Sequence, residues 1–420
     1  MRRTRAVENN DQGFEESRLH PAATGMAVMT APQRAGFDRA RLALPLSVDM
    51  SNQDFEAPGL TVRLGAVAAN YREIQRRAGP AATAGVVKAD GYGMGMAQVA
   101  KTLAAQGCDT FFVARLSEGI ALRPLVPQAR IFVLDGAAPD AMPALISHRL
   151  TPVLNALGEI AAWSACAREM RRVLDAAIHI DTGMNRLGLS ASELAVLSGE
   201  AKERLSGLRL VLAMSHLACA DDPSSSMNAL QRDRFSTALA MLPQAPASLA
   251  STGGVLLGKE YAFDMVRPGI GLYGGNPRLS APNPFAAVAV LTGRILQLRR
   301  VDRGESVGYG ATHRIERAGM LATVALGYAD GVMRALGNRG SAAIAGQRVP
   351  IVGRVSMDLL TLDVTAVAPR ALETGADVEL FGDTISLDEF AAAAGTASYE
   401  ILTRLGSRLA RRYVEGGGPR

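Results

Sequence analysis

The chain has 420 residues, of which 48% are hydrophobic and 20% are charged, with a formal net charge of +5. This length and composition predict a globular protein of two or three domains. No stretch of about 18 apolar residues occurs, which argues against a membrane span. No basic cluster is interleaved with aromatic residues, which argues against nucleic-acid binding. The three cysteines form no CxxC pair, which favours a reducing, cytoplasmic compartment.

Residues 1–55 are mixed polar, contain prolines and have few apolar repeats. Three arginines among the first five residues resemble the start of a signal peptide, but no apolar stretch follows them, and nearby acidic residues argue against a transit peptide. This region is predicted to be a poorly ordered extension.

From residue 66 apolar strands alternate with helical patterns. Eight strand–helix units in about 220 residues predict a parallel (β/α)8 barrel, placed at 59–286. The strands are predicted near 85–88, 110–114, 131–134, 151–154, 176–181, 210–216, 247–251 and 265–270. The helices between them are predicted near 66–78, 96–106, 116–123, 156–172, 191–204 and 228–242.

After Pro284 the pattern changes to short alternating strands, which predict a mostly-β domain over 287–420. The segment 60–64 is a candidate to pair with this domain. Ser386 and Glu389 form a capping box that predicts a helix start. A further helical stretch is predicted over 399–413.

Lys88 stands at the end of the first predicted barrel strand. It follows the apolar run 85–87 and precedes glycines at 91, 93 and 95. A lysine that loses water has a lowered pKa, and its neutral amine can form a Schiff base. The chain has only four lysines among 45 basic residues, and arginine cannot replace an amine in this chemistry. The alternative is that Lys88 is an ordinary loop lysine. A dinucleotide-binding site is excluded because the spacing of the glycines is not GxGxxG.

Other candidate side chains stand at the ends of later strands, where a barrel of this kind has its active site. For each, a structural role outside an active site is the alternative: a loop charge for Arg186, a core histidine for His216, a turn residue for Thr252 and a surface ion pair for Arg267. Tyr309 and Met357, in the second domain, are each compatible with a structural role. What indicates an active site is the joint placement of the four barrel residues at strand ends.

From about residue 59 to 413 the chain resembles alanine racemases. The resemblance rests on motifs that occur in the family's order: VVKADGYGMG, IDTGMNRLGL, MSHLACAD, DMVRPGIGLYG, VGYGATH, LGYADGVMR, GRVSMD and YEIL. It implies pyridoxal 5'-phosphate as cofactor, interconversion of L- and D-alanine, and D-alanine supply for peptidoglycan. It also implies a homodimer in which the partner's β-domain completes each active site.

By position, the resemblance implies that Lys88 binds the cofactor and that Lys88 and the partner's Tyr309 are the two catalytic bases. The phosphate would be held by Tyr92, Thr252, the backbone of Gly269 and Ile270, and Tyr399. Arg267 would face the pyridine nitrogen of the cofactor, and His216 would lie near the cofactor and orient the catalytic tyrosine. The substrate would be bound by Arg186 and the partner's Met357, and the entrance would be lined by Tyr328, Arg354 and Asp221.

His179 is a departure from this pattern. Many family members have a carbamylated lysine seven residues before the arginine that corresponds to Arg186, and a water or an anion could take its place here. No metal site is predicted. Two alternatives stay open: a racemase of broader amino-acid specificity, and a non-catalytic pyridoxal-phosphate carrier, which would need only the barrel.

Overall fold

The computed structural model describes residues 58–416, so the predicted extension over 1–55 lies outside the described residues. After strand β1 (Gly59–Arg63), the barrel strands follow in chain order. They are β2 (Ala82–Thr83), β3 (Gly85–Val86), β4 (Thr110–Val113), β5 (Arg130–Val133), β6 (Thr151–Leu154), β7 (Leu174–His179), β8 (Leu208–Met214), β9 (Ala247–Ser248) and β10 (Met265–Val266).

Strands β3 to β9 form one parallel sheet in chain order, and β10 pairs in parallel with β2. Because β2 leads into β3 across Ala84, the pairing with β10 joins the first and last strand positions. The Ala84 amide donates to the Val266 carbonyl at 2.9 Å. The eight strand positions confirm the predicted (β/α)8 barrel.

The barrel strands are apolar at successive positions because both of their faces are buried. Phe111 and Phe112 in β4 and Ile131 and Phe132 in β5 have no exposed surface. The rings of Phe112 and Phe132 stack at 4.8 Å between centroids. These strands therefore carry apolar runs in place of the alternation seen in one-sided sheets.

The helical segments of the barrel are α1 (Leu64–Ala78), α2 (Lys88–Tyr92), α3 (Met96–Ala105), α4 (Leu116–Leu122), α5 (Met142–Ser147), α6 (Leu157–Glu169), α7 (Ala191–Gly199), α8 (Ala201–Arg204), α9 (Ser226–Leu239) and α10 (Thr252–Leu257). The sequence pattern did not identify α5 and α10, which are too short to show a helical period. The helix predicted over 191–204 is two helices separated at Glu200.

The second domain is mostly β. Its strands are β11 (Ala289–Val301), β12 (Ser306–Val307), β13 (His313–Arg314), β14 (Gly319–Val324), β15 (Ser341–Ile344), β16 (Gln347–Pro350), β17 (Leu360–Asp363), β18 (Asp377–Phe381) and β19 (Ala410–Val414). Its helices are α11 (Leu387–Ala393) and α12 (Ser398–Arg404). Ser386 caps α11 by accepting from the Glu389 amide, but the Glu389 carboxylate pairs with Arg348 and does not complete the predicted capping box.

Strand β1 lies in the sheet of the second domain. It pairs antiparallel with β11 and parallel with β19, so that Leu60 is opposite Leu291 on one side and Arg411 on the other. The helix predicted over 399–413 is therefore wrong beyond Arg404: the chain leaves the helix before Gly406 and returns as a strand. Pairing with β1 supplies backbone hydrogen bonds that a local helical pattern cannot reveal.

Between residues 58 and 416, the structure has no helix that is both long and apolar enough to cross a membrane.

Candidate active site

A cavity of about 560 Å³ lies at the carboxyl ends of the barrel strands. The predicted cofactor- and substrate-binding residues from the barrel and from α12 line it: Lys88, Tyr92, Arg186, His216, Thr252, Arg267, Gly269, Ile270 and Tyr399. Asp221, predicted at the entrance, lines a second cavity that shares His216, Ser251 and Tyr399 with the first. Several other lining residues were not among the sequence-based candidates, among them Phe112, Leu134 and Met214. Their position at or just after the end of a strand is the signal that could have identified them.

Lys88 follows β3 and extends into this cavity. Burial lowers the pKa of the Lys88 ammonium, and the nearby Arg186 cation lowers it further, whereas the Glu118 and Asp135 carboxylates oppose the shift. A larger share of the amine is therefore neutral near pH 7, as a nucleophile or proton acceptor requires. The strand predicted over 85–88 ends at Val86, two residues before the lysine.

The backbone after Lys88 turns in the left-handed sense. The φ angles of Ala89, Asp90, Gly91 and Tyr92 lie between 53° and 60°. This region costs an L-residue roughly 1–2 kcal/mol, so surrounding contacts must hold the turn. The segment α2 is thus a left-handed turn, and it places Tyr92 beneath the cavity.

The Tyr92 ring is buried and stacks on Tyr273 at 4.6 Å between centroids. A Cβ added at Gly269 would lie 2.1 Å from the Tyr92 hydroxyl oxygen, so only glycine allows this approach. Thr252 Oγ1 accepts from the amides of Gly269 and Gly271 at 3.1 and 3.2 Å. Hydroxyl groups and backbone thus converge where a small oxyanion could be bound.

Arg267 also lines the cavity and is only 5% exposed. Its guanidinium donates to Ser248 Oγ and to the Ser215 carbonyl, the latter at 2.6 Å. Among residues 58–416 it has no carboxylate partner within ion-pair distance. Burial lowers the pKa of Arg267 to about 9, so it stays charged at pH 7. Since it can only donate, the atom that faces it must be an acceptor.

His216 lies beside Arg267, with its Nδ1 atom 3.4 Å from Nη2 of the arginine. Burial, reinforced by the arginine charges, lowers the pKa of His216 to about 3. The ring is therefore neutral at pH 7. Because Arg267 only donates, Nδ1 accepts and Nε2 carries the proton.

The two predicted residues from the second domain do not line this cavity. Tyr309 is 73% exposed and Met357 is 54% exposed. Tyr309 stands in a tight turn between Gly308 and Gly310, both with positive φ. Neither side chain therefore reaches the site of its own chain.

Family models cover both domains. The alanine racemase N-terminal domain matches residues 62–277, and the alanine racemase C-terminal domain matches 288–413. The chain belongs to the alanine racemase family.

Relatives of known sequence and structure agree. An alanine racemase of Rhodospirillum rubrum is 48% identical over 88% of this chain and 100% of its own length. A catabolic alanine racemase of Agrobacterium fabrum is 45% identical over 85% of this chain and 92% of its own. The crystal structure of the Bartonella henselae alanine racemase with covalently bound pyridoxal phosphate has a TM-score of 0.82 and 36% identity, covering 86% of this chain and all of that one.

Membership of the alanine racemase family makes the chain an isomerase that uses pyridoxal phosphate. The cavity fits this cofactor on its own chemistry. The amine with a lowered pKa suits reaction with an aldehyde, the hydroxyl groups of Tyr92 and Thr252 line the same cavity and suit a phosphate, and the buried Arg267 cation suits an acceptor atom of a ring.

His179 is the residue at which the chain departs from the pattern that the resemblance implies. Its Nδ1 atom lies 2.9 Å from Asn155 Oδ1. The amide nitrogen of Asn155 donates to two carbonyls, so Oδ1 accepts and His179 Nδ1 carries the proton. Burial, together with nearby arginine charges, lowers the pKa of His179 to about 4. A neutral imidazole with an acceptor at Nε2 therefore stands in the cavity wall that Arg186 also lines.

The lowered pKa values of His179 and His216 predict that the fold loses stability in acid. In the unfolded chain both histidines titrate near the ordinary pKa of about 6.5, but in the folded chain they stay neutral to about 4 and 3. Between these values the unfolded chain binds more protons, so stability is lost as pH falls from about 6.5 towards 4. We expect each histidine to contribute a loss on the order of 3 kcal/mol to the free energy of unfolding, about 6 kcal/mol together, measured by denaturant titration at fixed protein concentration. His179→Gln and His216→Gln should each flatten this dependence, and an unchanged slope in both would contradict the prediction.

Proposed function

We propose that this chain interconverts L-alanine and D-alanine with two bases, Lys88 and the partner's Tyr309, in a homodimer with shared active sites. The observation that carries this proposal is the division of the site. The predicted cofactor- and substrate-binding residues of the barrel line one cavity, whereas Tyr309 and Met357 are exposed on the second domain. A second copy of the chain would supply the missing side chains.

Racemisation removes a proton from one face of the α-carbon and returns a proton on the other. The cofactor, when bound, withdraws electrons from the α-carbon and so makes that proton easier to remove. Lys88 Nζ serves one face, and its lowered pKa suits proton exchange near neutral pH. Tyr309 Oη of the partner serves the other face.

To act as a base, the partner's Tyr309 must lose its phenolic proton, and a hydrogen-bond donor at its oxygen favours the resulting phenolate. His216 supplies that donor. Because its Nδ1 accepts from Arg267, its Nε2–H is free to donate to a phenolate oxygen. The Arg267 charge behind it strengthens that donor.

The remaining residues bind and orient. Tyr92, Thr252, Tyr399 and the backbone of Gly269 and Ile270 would hold the phosphate. Arg186, at the tip of a loop that Asp181 fixes by accepting from the amides of residues 183–185, would bind the substrate carboxylate. Met357 of the partner subunit would close the pocket around the small side chain of alanine.

We propose D-alanine supply for peptidoglycan as the cellular role. Two of the relatives are named catabolic, and a growth experiment separates these roles. Deletion of the gene in its own host should make growth depend on added D-alanine. A deletion strain that grows normally without D-alanine but fails to grow on alanine as carbon source would assign the catabolic role.

We expect borohydride to fix the cofactor to the peptide that contains Lys88. The reason is that Lys88 alone among the four lysines lines the cavity. The measurement is peptide mass spectrometry after reduction, with Lys88→Arg as control. Labelling of Lys101, Lys202 or Lys259 would contradict the assignment.

Racemase assays on a panel of amino acids test the substrate. Alanine should be turned over far faster than amino acids with larger side chains. Equal rates for lysine, arginine and alanine would favour the broader racemase, and cofactor attachment without any racemisation would favour the carrier.

A further inference from the structure

Glu118 links two strand-end loops beside Lys88. It is the third residue of α4, and its Oε2 atom accepts from the amides of Ala114 and Arg115 at 2.8 and 3.0 Å. Its Oε1 atom accepts from the Ala89 amide at 2.6 Å. All three partners are N–H donors, so the position requires a group that only accepts, which is an ionised carboxylate.

The Ala89 amide belongs to the first left-handed residue after Lys88. Residues 89–92 adopt φ angles that L-residues keep only when surrounding contacts hold them. The far end of the turn has its own supports: Asp90 Oδ1 accepts from the Met96 amide at 2.8 Å, and Arg411 Nε donates to the Gly93 carbonyl at 2.9 Å. Glu118 is the side chain that holds the near end, next to the lysine.

We propose that Glu118 is a positioning residue that fixes the start of the left-handed turn and thereby aims the Lys88 amine into the cavity. The proposal rests on the proposed role of Lys88 in cofactor attachment and proton transfer. Removal of the carboxylate would leave the amide adjacent to Lys88 without its acceptor. The turn could then relax toward ordinary backbone angles and carry the amine away from its working position.

The test compares Glu118→Gln with Glu193→Gln in the holoenzyme. Glu193 is the matched control, because it is also the third residue of its helix and accepts from the Ser190 amide at 2.9 Å. In Glu118→Gln the side-chain NH2 group must face a backbone donor on one side. We expect kcat to fall about tenfold or more, the size of losing a charged hydrogen bond, with KM for alanine changed little.

Two readouts separate positioning from a general loss of structure. Amide hydrogen exchange should accelerate in the peptide that covers residues 86–96, and the visible circular dichroism of the bound cofactor should weaken; neither should change in Glu193→Gln. Adding Ala89→Gly to Glu118→Gln should restore much of kcat, because glycine adopts a positive φ without steric cost.

Normal kcat, exchange and dichroism in Glu118→Gln would overturn the proposal. So would a loss of kcat that is accompanied by faster exchange across the whole barrel and is not restored by Ala89→Gly. Amide hydrogen exchange does not depend on the reaction. It therefore tests whether Glu118 holds the turn even if borohydride labels a lysine other than Lys88. Such labelling would overturn the proposed function alone.

Discussion

Mixing Lys88→Ala protein with Tyr309→Ala protein is expected to restore about a quarter of wild-type activity, although each variant alone is nearly inactive. Random subunit exchange makes about half of the dimers mixed, and one of the two sites in each mixed dimer has both bases intact. The physical basis is the exposure of Tyr309, which lies outside the cavity of its own chain. The measurement is alanine racemisation after exchange, with mixed dimers quantified by native mass spectrometry.

A double variant provides the control. When Lys88→Ala/Tyr309→Ala protein is exchanged with an equal amount of wild type, every site in a mixed dimer lacks one base. Activity should therefore fall from about half to about a quarter of that of an all-wild-type sample. If both bases came from one chain, the activity would stay at one half, and the first mixture would regain nothing.

Arg267→Glu is expected to lower racemisation by about a hundredfold or more and to raise the share of transamination. Arg267 is a buried cation that can only donate, so in the proposed site a cofactor ring nitrogen held against it would remain without a proton. A carboxylate in its place would hold a proton on that nitrogen and strengthen electron withdrawal by the ring. Transamination, which a weakly electron-withdrawing ring disfavours, would then compete with racemisation.

Arg267→Gln is the matched variant. Glutamine has the shape of glutamate but has no negative charge that would stabilise a proton on the ring nitrogen. Both substitutions deprive the Ser215 carbonyl and Ser248 Oγ of a donor, so both should lose stability and rate. Only the glutamate variant should shift the ratio of transamination to racemisation. The same ratio in both variants would count against the role assigned to Arg267.

The site could be predicted largely because a barrel brings its strand ends together. Lys88, His216 and Arg267 are far apart in sequence, but each follows a recognisable apolar strand, and the fold forces them to one rim. The ordered motifs then suggested a role for each residue. Tyr309 and Met357 came from the motifs alone, since no strand end of the barrel carries them.

The limits of local pattern are clearest near Lys88 and at the C-terminal end. The strand pattern extended to Lys88, but the backbone leaves the strand at Val86 and turns left-handed, held by Glu118 29 residues away. The segment 399–413 has a helical composition, yet its second half becomes β19 because β1 offers a free edge. Hydrogen bonds between distant parts of the chain determined both local structures. The hydrophobic periodicity of a short segment contains no information about such bonds.

By itself the sequence determined the barrel, the β-domain, the cofactor lysine expected at the first strand end and the family, because apolar periodicity and motif order are local properties of the chain. The tertiary structure alone decided the protonation of His179 and His216, the burial of the Arg267 charge and the position of Tyr309 outside its own cavity. These depend on burial and on hydrogen-bond partners that only folding brings together.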